Sequence, residues 1–130
     1  MILVFADQAD GQIKKQSMEA MSYGAAIAAQ TGTHADAVVL GQADNESLSA
    51  LGAYGAAKVH HVPAPDYDNF DAAAYANALA NLAKDLGASV IVLSQTTSGK
   101  AIGPRLSVKL KAGLVAGALS MAAGEYVSVS

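Results

Sequence analysis

The sequence predicts an α/β fold, a mainly parallel sheet with helices on both faces in three layers. Three observations carry this. Short apolar runs alternate with helix-length segments, the runs lack the in-out alternation of a half-exposed strand, and each ends at glycine, proline or a small polar cluster. The 130 residues suffice for one domain with a continuous core.

Ile2 to Ala6 is wholly apolar and stops at the turn-rich cluster Asp7-Gln8-Ala9-Asp10-Gly11, the pattern of a strand buried on both faces. A helix follows from about Lys15 to Gln30, with Met18, Met21, Ala25, Ala28 and Ala29 on one stripe and Gly32 as its C-terminal cap. Ala37 to Gly41 forms the second strand. Asn45 or Ser47 then caps a short helix through Leu51. Val59-His60-His61-Val62 is the third strand, stopped by Pro63 and Pro65. Asp71 opens an alanine-rich helix that runs to Leu86 and closes at Gly87, and Val90 to Leu93 is the clearest strand in the chain. After the polar loop Ser94 to Gly99 comes a helix from about Ala101 to Lys111, with Pro104 tolerated in its first turn. Leu114 to Met121 reads as one more strand, and Tyr126 to Ser130 alternates like an edge strand. Right-handed crossovers join the parallel strands. The chain stops inside a strand-like pattern, with no turn or polar tail, so it is expected to be a truncated piece of a longer one.

Composition narrows the function. Hydrophobic residues make up 52% and charged residues 15%. Much of the apolar share is alanine, so it implies close helix-on-sheet packing more than greasiness. The longest weakly polar stretch, Ala112 to Ala123, is short of the roughly 20 residues of a membrane span and is broken by two glycines and a serine. Net charge is −3, and no basic run exceeds Lys14-Lys15, which argues against nucleic acid as a partner. There is no cysteine, hence neither disulfide nor thiolate metal site. Met1 leads straight into Ile2-Leu3-Val4-Phe5 without the basic region of a secretory signal, so a cytoplasmic location is expected.

The segment Ser94-Gln95-Thr96-Thr97-Ser98-Gly99-Lys100 follows a central strand and precedes a helix, where open α/β sheets bind ligands. Thr96, Thr97, Ser98 and Gly99 can cradle an anion at a helix N-terminus, with Lys100 and Arg105 adding positive charge. The preferred reading is simpler: Thr97 or Ser98 caps the helix, and a ligand or subunit contact is the alternative. It is not a phosphate loop of the Gly-x-x-x-x-Gly-Lys type, because Ser94 stands where the first glycine belongs and Ala101 where a metal-binding hydroxyl belongs. Asp7, Asp10 and Gly11 read as a solvated turn in preference to a metal or ribose site. His60 and His61 point to opposite faces of their strand and cannot share a metal. Tyr54, Tyr67, Phe70 and Tyr75 look scattered. No catalytic constellation is expected.

Several stretches in order resemble the electron transfer flavoprotein alpha subunit. They are MILVFADQADGQIKKQSMEAMSYGAAIA with its Gly-x-Ile-Lys-Lys spacing and Glu19, AVVLG at 37–41, LGAYGAAKVHHV at 51–62, and SQTTSGKAIGPRLSVKLKAGLV at 94–115 with its Thr-x-x-Gly-Lys-x-x-x-Pro-Arg segment. The resemblance implies that residues 1–130 are the amino-terminal domain, of the adenine-nucleotide-binding, Rossmann-like type. It implies an alpha–beta heterodimer that takes electrons from flavin dehydrogenases, such as those of fatty acid oxidation acting on acyl-CoA, and passes them to a quinone oxidoreductase. FAD is held mainly by a carboxyl-terminal domain absent here, so no cofactor is expected on this segment, which packs against the beta subunit. Ala101 departs from the acidic residue the resemblance leads one to expect. With its partner surface bare, the isolated segment is expected to self-associate. The alternative is a stand-alone nucleotide-binding domain similar to universal stress proteins. Against it, the gap from Gly99 to Gly103 is one residue too long, and Leu114 replaces the phosphate-binding hydroxyl.

Overall fold

A computed structural model describes residues 1–9, 11–67, 69–88, 90–93, 101, 102, 105, 106, 114, 115 and 118–120, with residues 9, 114, 115 and 118–120 described by backbone alone. The strands are β1 (Ile2–Phe5), β2 (Gln8–Ala9), β3 (Gln12–Ile13), β4 (Ala35–Leu40), β5 (Val59–Val62), β6 (Val90–Val92), β7 (Leu114–Val115) and β8 (Ala118–Ser120). The helices are α1 (Lys15–Thr31), α2 (Asn45–Ala53) and α3 (Ala72–Leu86). Ala101, Ile102, Arg105 and Leu106 are also helical.

The main sheet runs β5-β4-β1-β6-β8-β7. Its first four strands are parallel, with Val4 in register with Ala37 on one side and Val92 on the other. The central strand β1 is buried at every position, which is why the sequence there shows no alternation. Its side chains still divide by parity. Ile2 and Val4 join Ala37, Val39 and Val92 beneath α1, with Leu51 of α2 on the same side. Leu3 and Phe5 join Val38, Leu40, Ile91 and Leu93 beneath α3, with Ile102 and Leu106 on that side. Two apolar layers thus sandwich one sheet, as expected.

Alanine and glycine set the layer spacing. A Cβ on Gly24 would lie 2.6 Å from Val4 Cγ2, so α1 rests directly on β1 only because that atom is missing. The buried residues of α1 are Ser17, Ala20, Met21, Gly24 and Ala28; Ala29, placed on the buried stripe by spacing, is exposed. Gly32 and Gly87 close α1 and α3 in the left-handed conformation. The cap of α2 is Asp44, not Asn45 or Ser47: its Oδ1 accepts the Ser47 N–H at 2.7 Å. Asp71 caps α3 the same way, accepting from the Ala74 N–H.

Two further sequence expectations are corrected. Leu114 to Met121 is not one strand: β7 and β8 pair antiparallel, and β8 runs antiparallel to β6. Only two residues separate them, too few for a parallel crossover but enough for a hairpin, and the largely apolar composition hides the break although Gly117 stands at it. The cluster after β1 is not only a turn. Gln8 and Ala9 pair with Ile13 and Gln12, and Asp10-Gly11, between the paired strands, is a recognised hairpin dipeptide. The edge strand expected at Tyr126 to Ser130 lies outside the described residues.

Candidate functional site

Parallel strands bring their carboxyl ends to one edge, and the strand order reverses between β1 and β6. At this edge β1 ends in Ala6 and Asp7, β4 in Gly41 to Asp44, β5 in Pro63, and β6 in Leu93. Thr96, Thr97, Ser98, Gly99 and Lys100 lie outside the described residues, and Arg105 is exposed.

Asp7 is not part of a solvated turn. It is 4% exposed, and its carboxylate meets Lys14 Nζ at 2.9 Å. Its backbone is also engaged: the Asp7 N–H donates to Ser17 Oγ at 2.8 Å, while its carbonyl accepts from the Lys14 N–H at 3.0 Å. Strand end, hairpin and helix start are therefore tied at one residue. The β2–β3 hairpin closes between them, so burial of Asp7 follows from a tertiary contact that a linear reading misses.

Beside this lies an open cleft of about 440 Å³ lined by Gly11, Gln42, Ala43, Asp44, His61 and Pro63. The Asp44 N–H donates to the Gly11 carbonyl at 2.8 Å, which joins hairpin to α2. Hydrogen bonds from the Ser47 side chain and backbone hold the Asp44 carboxyl below its ordinary 3.8, so it stays ionised. His61 Nε2 lies 2.8 Å from the Gly41 carbonyl. Gly41 has φ +87°, and the Tyr67 carbonyl approaches so closely that no Cβ fits. Among the described residues neither lysine nor arginine lines the cleft. Asp44 and His61 were not singled out together from sequence; only the adjacency of two strand ends brings them to one wall.

The opposite edge holds a second polar group. Asp36, 2% exposed, accepts from His60 Nε2 at 2.8 Å, and His34 Nε2 lies 3.6 Å from its other oxygen. His60 and His61 bond toward opposite ends of the sheet, whereas their alternation predicted only opposite faces of the strand, and no group of three metal-ligating side chains able to hold a metal occurs among the described residues. The aromatic residues are less scattered than expected. Phe5, Tyr67 and Phe70 pack edge-on around Tyr75, with ring centroids 6.0, 5.7 and 5.0 Å away, and the Tyr75 hydroxyl donates to the Tyr67 carbonyl. Tyr54 stands apart, exposed.

A mainly parallel sheet covered on both faces, with its strand order reversing at the centre, defines a doubly wound three-layer α/β domain. The chain belongs to the electron transfer flavoprotein domain family, whose model matches residues 2–129. It is 29% identical to the electron transfer flavoprotein subunit alpha of Clostridium acetobutylicum, over 92% of this chain and 36% of that protein. It is 31% identical to the acryloyl-CoA reductase electron transfer subunit beta of Anaerotignum propionicum, over 88% and 31% respectively. It is 29% identical to the lactate dehydrogenase (NAD(+),ferredoxin) subunit LctC of Acetobacterium woodii, over 88% and 28%. The chain therefore spans about a third of the length of the curated relatives it matches. A solved universal stress protein in complex with cAMP superposes with a TM-score of 0.46 at 16% identity, covering 82% of this chain and 90% of that one, too distant to bear on function. No helix among the described residues is long and apolar enough to cross a membrane.

Proposed function

We propose that this chain supplies the amino-terminal α/β domain of an alpha-type electron transfer flavoprotein subunit and serves there to pack against a beta-type subunit. The observation that carries this is the family match over residues 2–129, in a chain that aligns with about a third of several alpha-type relatives. The complete heterodimer takes electrons from a flavin dehydrogenase, such as one acting on acyl-CoA, and hands them to a quinone oxidoreductase. This segment performs no chemistry of its own, and works in the cytoplasm.

FAD belongs to the complete subunit. The described residues do not fit it: the cleft at the carboxyl edge offers the ionised Asp44 and no cation to a pyrophosphate. No electron-transfer step is routed through these residues. The segment Thr96, Thr97, Ser98, Gly99 and Lys100, together with Arg105, is assigned to the subunit contact on its sequence pattern. A chimera tests the reading. This chain is fused to the remainder of the Clostridium acetobutylicum alpha subunit and co-expressed with that organism's beta subunit. A yellow heterodimer reducible by a flavin dehydrogenase is the expected product. A colourless, unassociated chimera, alongside an intact parental control, would overturn it.

A further inference from the structure

We draw no further inference here: the strongest candidate, the side-chain cluster at the amino ends of β4 and β5 where His34 and His60 flank the buried Asp36 and its Oδ1 has no hydrogen-bond partner, makes no group able to hold a metal among the described residues, and nothing in the structure shows what else would occupy it.

Discussion

Lys14 and Asp7 show how one residue can hold an edge of the sheet. Asp7 is 4% exposed and pairs with a lysine whose side chain is 34% exposed, so removing the cation takes one partner from a buried charge that water reaches poorly. Lys14→Met should therefore lower unfolding free energy by roughly 2–3 kcal/mol, below the full buried-pair value because the lysine is partly solvated. Urea denaturation checks this, and a change within experimental error would mean that the pair is solvated. Asp44 makes a different prediction. Its carboxyl is lowered below 3.8 in the folded chain, so its contribution is present above that unfolded value and is lost as pH falls through the lowered one. Wild type should lose stability relative to Asp44→Asn in acid below 3.8, with no difference in trend at neutral pH. A flat difference across the acid range would show that the Ser47 hydrogen bonds do not favour the ionised form.

Helix α1 illustrates what an element requires beyond propensity. Ala at position 24 would raise helix propensity by up to about 1 kcal/mol over glycine, yet its Cβ would press into Val4 at 2.6 Å. Overpacking of a filled layer costs about 1–3 kcal/mol, so Gly24→Ala should be net destabilising, by about 1 kcal/mol. A stabilised variant in thermal unfolding would show that α1 can lift from the sheet at no cost. The same helix marks what the sequence reveals. Its start, its end and its glycine cap are local features and are legible. The exposure of Ala29 and the burial of Ser17 and Gly24 are decided by how α1 lies on β1. The parallel strands were legible because burial on both faces leaves an uninterrupted apolar signature. A largely apolar stretch of sequence concealed the break between β7 and β8, although Gly117 stands where the direction reverses. The hairpin β2–β3 was missed although Asp10-Gly11 signals it, because its strands are only two residues each. The cleft was illegible for a deeper reason: Gly11, Asp44 and His61 are remote in sequence and meet only through strand order.

At the scale of the molecule, the family match and the chemistry of the carboxyl edge point the same way. A doubly wound sheet of this kind can host a nucleotide, but its described cleft carries a carboxylate and no cation. ATP and AMP should bind the chain more weakly than about 0.1 mM, roughly −5.5 kcal/mol, and micromolar binding in a calorimeter would favour a stand-alone nucleotide-binding role instead. This domain is proposed to meet a beta-type electron transfer flavoprotein subunit. Sedimentation of the two chains mixed at equal concentration tests that most directly. A one-to-one complex with a dissociation constant of about 1 μM or tighter, roughly −8 kcal/mol, is the predicted result. Two independent boundaries persisting at about 100 μM, with both chains folded, would contradict it.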